Sequence, residues 1–191
     1  MEKDRTRVCP VELADSLDNR LRRWFQNPRK ILAPYVAEGM TALDVGCGPG
    51  FFSVELARLV GPGGRVIAAD LQQGMLDKVR TKIKGTELER CIHLAKCDPE
   101  TINVNESVDF ILTFFMVHEV PDQPGFFRQL FPLLRPNGKY LLVEPKLFHV
   151  SQVQFRKTLQ HAHAAGFAVS PGPRLPFSWS AVLSSAGGGG A

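Results

Sequence analysis

The sequence predicts an α/β protein, a parallel sheet covered by helices. Three observations carry this. Short apolar runs alternate with stretches of helical spacing. The early runs are continuous rather than polar-apolar alternating, as in strands buried on both faces. The first run feeds directly into LDVGCGPGFF, residues 43–52, where three glycines alternate with other residues before a helical stretch.

Residues 11–25 carry Leu13, Leu17, Leu21 and Trp24 at helical spacing. Asn27-Pro28 reads as a helix start, with Asn as cap and Pro in the first turn. That helix is expected to run through RKILAPYVAE, bend at Pro34 and stop at Gly39. Thr41–Val45 is the first strand and Phe51–Val60 a helix, broken by Gly61-Pro62-Gly63-Gly64. Arg65–Ala69 is the second strand, ending at Asp70, and Gln73–Ile83 the next helix. Cys91–Ala95 and Val108–Thr113 are the third and fourth strands. Pro124–Leu134 is helical, Pro136-Asn137-Gly138 a turn and Lys139–Val143 the fifth strand. Ser151–Ala165 is a helix closed by Gly166. Phe167–Ser170 and Trp179–Leu183 are two weaker final strands.

No repeat or long linker divides the 191 residues, so one domain is expected. Residues 1–38 read as a helical cap, 39–185 as the core and 186–191 as a tail too glycine-rich to order. The net charge is +4, but Lys and Arg are scattered, so no nucleic-acid partner is inferred. The densest point, Arg20, Arg22 and Arg23, fits a solvated helix face. Cys9, Cys47, Cys91 and Cys97 form no CxxC pair and read as reduced, buried thiols. The first residues lack a signal-peptide core, and no apolar run approaches the ~20 residues a membrane span needs. A soluble, cytoplasmic protein, monomer or homodimer, is the expectation.

In such a sheet, ligands bind beyond the carboxyl ends of the strands, where the strand order reverses. Glycines there let the backbone approach a ligand closely, and the next helix offers unpaired N–H groups. LDVGCGPGFF therefore reads as a nucleotide or nucleoside site. A dinucleotide fingerprint would be G-x-G-x-x-G. Here Phe51 stands in the last position, where it is expected to obstruct a pyrophosphate. That departure argues against a nicotinamide-dependent oxidoreductase.

The spacing is G-x-G-x-G, with Asp44 two residues ahead of Gly46. This resembles the class I S-adenosylmethionine-dependent methyltransferases, whose signature runs acidic-x-Gly-x-Gly-x-Gly. IAADLQQGML, KCDPETI, VDFILTFFMVHEVPD and LLRPNGKYLLVEP look like the family's next four elements, the last a fifth-strand hairpin. The likeness covers roughly residues 28–185. It implies a Rossmann-like doubly wound sheet in the order 3-2-1-4-5-7-6 with strand 7 antiparallel, and S-adenosyl-L-methionine as cofactor. The branch it suggests is that of quinone-biosynthesis enzymes.

By the same resemblance Asp44, Gly46, Cys47, Gly48 and Gly50 form the cofactor turn. Asp70 accepts the ribose hydroxyls through its two oxygens, and Leu71 covers the adenine. Asp98 bonds the adenine amino group, with Cys97 behind the ring. Thr113 and Phe114 complete the cofactor site. Asp44 is open to two roles, near the sulfonium or as a structural bond to turn amides.

Methyl transfer needs in-line placement, and a base only if the acceptor is protonated. Phe115, Met116 and Glu144 are read as the acceptor pocket, pointing to a small apolar or ring-bearing acceptor; ordinary core filling is the other reading of the apolar ones. His118 titrates near neutral pH and is the base candidate; capping a helix start is its alternative role. His149 and Glu144 are weaker base candidates. No metal site is expected, since His161 and His163 point to different sides of a helix. The fourth strand also lacks the sequence runs of nucleic-acid base methyltransferases. A cofactor-binding module without activity, or a protein or RNA methyltransferase, are the competing readings. Trp24, Phe25 and Tyr35 are expected to fold over the cofactor as a lid. Deleting residues 1–26 then weakens cofactor binding; retained affinity would remove the lid.

Overall fold

In a computed structural model the chain is described over residues 27–146 and 150–185. The helix expected over 11–25, with Trp24 and Phe25, lies outside the described residues, as do Cys9, His149 and the tail. Asn27 caps the first described helix, α1 (Pro28–Leu32), through its side chain and the Lys30 N–H. The expected extension through Pro34 does not form. Pro34 has no N–H to donate, and the chain turns instead, with the Tyr35 and Val36 N–H groups both bonded to Leu32 O.

The strands are β1 (Thr41–Val45), β2 (Arg65–Asp70), β3 (Ile92–Lys96), β4 (Val108–Phe114), β5 (Leu134–Pro145), β6 (Phe167–Pro171) and β7 (Ser178–Ser185). They make one sheet in the order β3-β2-β1-β4-β5-β7-β6. The first five are parallel, and β7 runs antiparallel to both β5 and β6. The order reverses at β1, so its carboxyl end opens beside that of β4.

Alternate residues of each central strand feed two cores. Ala42, Val66, Phe110, Leu112 and Leu141 pack beneath α1, α2 (Ser53–Val60) and α3 (Gln73–Ile83). Leu43, Ile67, Ile111, Tyr140 and Leu142 pack beneath α4 (Gln123–Leu130) and α5 (Gln152–Ala164). This is why the early strands read as unbroken apolar runs.

Several further element boundaries differ from expectation, and three of the differences have a clear cause. The helix expected to start at Phe51 starts at Ser53, because Phe51 and Phe52 turn into the first core. The helix expected to reach Leu134 ends at Leu130 and tightens into a 3-10 turn over Phe131–Leu133, where Pro132 cannot continue the ladder. The expected turn at Pro136-Asn137-Gly138 is a bulge within β5 rather than part of a hairpin. Leu134 pairs with Val108 and Lys139 with Phe110, so the intervening residues arch out of register. Tyr35, expected in a lid, stacks on Phe110 at 6.2 Å between ring centroids, in the amino-terminal half of β4 and away from the carboxyl ends.

Candidate active site

The glycine turn leaves β1 with all three glycines at positive φ: 71° at Gly46, 53° at Gly48 and 82° at Gly50. L-residues reach this region only with strain, which accounts for the alternating glycines. Each also meets a different surrounding. A Cβ on Gly46 would stand 2.8 Å from Met116 Cγ, and one on Gly50 3.1 Å from Val79 Cγ2. A Cβ on Gly48 would meet nothing within 4 Å. The turn is thus tied to the β4 end at its first glycine, to α3 at its last, and borders open space at the middle one.

Asp44 is 2% exposed and accepts a hydrogen bond from Ser53 Oγ at 2.6 Å, joining β1 to the start of α2. Cys47 is buried, its N–H bonded to Ala69 O. Burial pushes the Cys47 thiol pKa well up, with the carboxylates of Asp44 and Asp70 adding. Phe51, which follows Gly50, is buried in the first core, edge-on against Phe52 at 5.0 Å between ring centroids.

Asp70 ends β2 as expected. Its Oδ2 accepts from the Gly48 N–H at 2.9 Å and its Oδ1 from the Gln72 N–H at 2.8 Å. Burial raises its pKa, outweighing those N–H groups and the charge of Lys96. Each oxygen keeps acceptor capacity beyond one N–H. Leu71, next in sequence, is 36% exposed. Sequence reasoning missed Lys96. Its Nζ donates to Leu71 O at 2.6 Å and to Cys97 O at 2.9 Å, tying the ends of β2 and β3. A lysine closing a strand next to a candidate residue was the available signal.

Cys97 is buried, its Sγ donating to Ile102 O at 3.3 Å, and burial pushes its thiol pKa up to about 11. Asp98 is exposed and accepts from Asn103 Nδ2 at 2.8 Å. Thr113 is fully buried, its hydroxyl paired with Tyr140 Oη at 2.9 Å within the second core. It pairs in register with Val45, the residue before the glycine turn.

Phe114 closes the gap between turn and β4. Its ring lies 4.3 Å from that of Phe52 and 4.5 Å from that of Phe115. Phe115 sits at φ 62°, a costly position for a bulky residue, held by its N–H to Val143 O at 2.8 Å. Met116 follows and packs on Gly46.

His118 lies in a 3-10 turn over Val117–Glu119. Its Nδ1 is 2.6 Å from Glu144 Oε2, and Glu144 also accepts from the Val117 and His118 N–H groups at 3.0 and 3.1 Å. Glu144 is 1% exposed, so it lies beneath the turn. Burial acts to lower the His118 pKa, but the hydrogen bond and charge of Glu144, with Glu119 adding, win and leave it raised. Among the described residues no group of three or more His, Cys, Asp or Glu side chains could hold a metal ion. No described helix is long and apolar enough to cross a membrane.

A family model described as a methyltransferase domain matches residues 42–138, just over half of the chain. This chain belongs to that methyltransferase family. The match spans β1 to the β5 bulge and so contains the glycine turn, Asp70, Asp98 and His118.

The methyltransferase chain is 36% identical over 143 residues to the demethylmenaquinone methyltransferase of Lactobacillus johnsonii, covering 73% of this chain and 58% of that protein. It is 30% identical over 110 residues to a ubiquinone/menaquinone biosynthesis C-methyltransferase of Pasteurella multocida, covering 57% and 41%. The chain thus spans about half the length of these curated relatives. A SAM-dependent methyltransferase from Aquifex aeolicus shares the fold at TM-score 0.82 and 24% identity, covering 92% of this chain and 98% of that one. A structure from Methanococcus maripaludis titled a putative S-adenosyl-L-methionine-dependent methyltransferase does so at TM-score 0.75 and 17% identity, covering 97% of each.

The cofactor of this methyltransferase class is S-adenosyl-L-methionine, and the site fits it. A buried carboxylate with spare acceptor capacity ends β2, an apolar side chain follows it, and the glycine turn opens beside them at Gly48.

Proposed function

We propose that the protein transfers a methyl group from S-adenosyl-L-methionine to a small, apolar or ring-bearing acceptor, without a metal. The observation that carries the acceptor class is the contact of half-buried Met116 with Gly46, with half-buried Phe115 beside it and the buried rings of Phe114 and Phe52 behind. It puts an apolar, aromatic wall directly against the cofactor turn. The demethylmenaquinone named for the Lactobacillus relative and the quinone-biosynthesis C-methylation named for the Pasteurella one fit such a wall, and a demethylated quinol is the acceptor class we assign.

In this reading Asp70 accepts the ribose hydroxyls, Leu71 and Cys97 border the adenine, and Asp98 accepts from its amino group. Gly46, Cys47, Gly48 and Gly50 line the methionine portion. Asp44 supports the turn through Ser53, and Phe114 backs it from β4. Thr113 contributes only through the position it gives Phe114, since its hydroxyl is engaged with Tyr140. When bound, the cofactor supplies an electrophilic methyl whose bonding pair returns to sulfur as the acceptor attacks in line. His118 takes a proton from the acceptor, and the aromatic wall excludes water.

The test is calorimetric titration with S-adenosylhomocysteine and, in parallel, NAD, followed by label transfer from S-adenosylmethionine to demethylmenaquinol. Binding of the first ligand alone, with labelled menaquinol formed, is expected. His118→Ala is expected to lower turnover by about 100-fold or more, in the range of general-base catalysis, with S-adenosylhomocysteine affinity unchanged. Binding of NAD in preference, or unlabelled product across a quinol and phenol panel, sinks the proposal.

A further inference from the structure

We infer that Glu144 is a positioning residue that fixes the tautomer of His118, and that the acceptor is therefore one that gives up a proton as it attacks, as a quinol does from its hydroxyl. The inference rests on the methyl-transfer reading above and extends it to the chemistry of the acceptor.

Three donors converge on one buried carboxylate. Two are backbone N–H groups, of Val117 and His118, and fix the 3-10 turn in place. The third contact, at 2.6 Å, joins Glu144 Oε2 to His118 Nδ1. A carboxylate accepts and does not donate, so the neutral ring carries its proton on Nδ1. Nε2 is then the nitrogen that holds the lone pair. Backbone and ring of the same residue are held by the same group, so neither can turn without breaking a bond to a carboxylate that is 1% exposed. Gln123 Nε2 secures the turn from the other side through Val117 O at 3.0 Å.

Glu144 is poorly placed to be the base itself, because three N–H groups already cover it. Its use follows from where charge goes. For a quinol acceptor the hydroxyl proton passes to Nε2, the O–H pair moves in to form the ring C=O, and the ring π pair at the neighbouring carbon forms the bond to the methyl carbon; the proton on that carbon then leaves as the hydroxyl is restored. The pair of the methyl–sulfur bond returns to sulfur. One positive charge leaves the sulfur and one appears on the imidazolium. The site's net charge is unchanged, and the new cation forms against a carboxylate already in position. An acceptor with no proton to give up, such as a tertiary amine or thioether, has no use for this arrangement.

Among the described residues, Glu144 from β5 and Glu119 from its own turn bear on the ring, both favouring the imidazolium against burial. Tyr140, which lies on β5 toward Glu144, has its pKa pushed far up by burial and stays neutral.

The test is a nitrogen-15 NMR titration of the histidines in the full chain with S-adenosylhomocysteine present. In the wild-type protein, neutral His118 is expected to be protonated at Nδ1 and not at Nε2, with a midpoint above that of an exposed histidine. Glu144→Gln keeps an acceptor oxygen but removes the charge. There the midpoint is expected to fall by about one unit or more, as for loss of an opposite charge in contact. With a quinol acceptor, the acid limb of kcat moves down in pH by the same amount and KM stays within about threefold. A wild-type Nε2–H tautomer overturns the inference whether or not any variant folds. So does an unmoved midpoint in Glu144→Gln. S-adenosylhomocysteine affinity is measured on the same samples. Loss of binding with the expected tautomer counts against the methyl-transfer reading, and intact binding with the wrong tautomer counts against this one.

Discussion

Asp70 is asked to do two things with one carboxylate. It holds the Gly48 and Gln72 N–H groups, and in the proposed site it also accepts a ribose diol. Asp70→Ala removes the diol acceptors and leaves both N–H groups unpaired. It is expected to weaken S-adenosylhomocysteine binding by about 100-fold, two charged hydrogen bonds being worth at least that. Calorimetry reads the affinity, and thermal unfolding reads the separate cost to the turn. The pH dependence has a definite sign. Burial raises the Asp70 pKa, so the carboxylate is protonated at a higher pH than an exposed aspartate would be. Cofactor affinity should fall as pH drops through that raised value. Affinity that stays flat down to the ordinary aspartate range would show that Asp70 does not bind the ligand as a carboxylate. Asp70 was legible in the sequence, because a carboxylate ending the second strand needs only local spacing to be found. Its bond to Gly48 was not, since that needs the two strand ends side by side.

At the scale of elements, the glycine turn separates strain from occupancy. Gly48 and Gly50 both have positive φ, so an L-residue at either costs about 1–2 kcal/mol. Gly50→Ala also presses on Val79 of α3, whereas Gly48→Ala adds a methyl to open space. Thermal unfolding should therefore show the larger loss for Gly50→Ala, with a fall of several degrees. S-Adenosylhomocysteine titration should show the larger loss for Gly48→Ala. Equal affinity in wild type and Gly48→Ala would mean that the space beside Gly48 is not the ligand's. The turn itself was readable, because alternating glycines state a backbone requirement in sequence order. Their three surroundings were not. Met116 reaches Gly46 only because β4 is the neighbour of β1. The β5 bulge was likewise misread as a turn. Pro136-Asn137-Gly138 carries the same composition in either case, and only pairing of Val108 with Leu134 and of Phe110 with Lys139 tells a bulge from a hairpin.

For the whole molecule, the His118–Glu144 contact couples folding to pH. It joins the turn after β4 to β5 across 26 positions of sequence. The folded protein holds the His118 proton more tightly than the unfolded chain does, so the contact's contribution to stability is fully present below the unfolded histidine pKa. It is lost as pH rises through the higher folded value. The difference in urea midpoint between wild type and His118→Gln should therefore shrink as pH rises through that window. A difference that is constant with pH would mean that the ring is not charged in the folded protein.

The sequence by itself determined the α/β class, the glycine turn, the carboxylate at the end of β2, and most strands and helices of the described residues to within a few positions, the early end of α1 and the early start of β5 excepted. All of these rest on short-range signals: apolar periodicity, helix caps and the positive φ that glycine permits. Strand order followed from family resemblance, because an apolar strand reads the same whichever neighbour it pairs with. The tertiary structure alone decided the rest. Ser53 against Asp44, Tyr140 against Thr113, Lys96 across two strand ends and Glu144 beneath His118 are polar pairs drawn from different elements. Nothing in the local sequence of either partner announces the other, since what brings them together is the packing of strands whose side chains must find partners once water is gone.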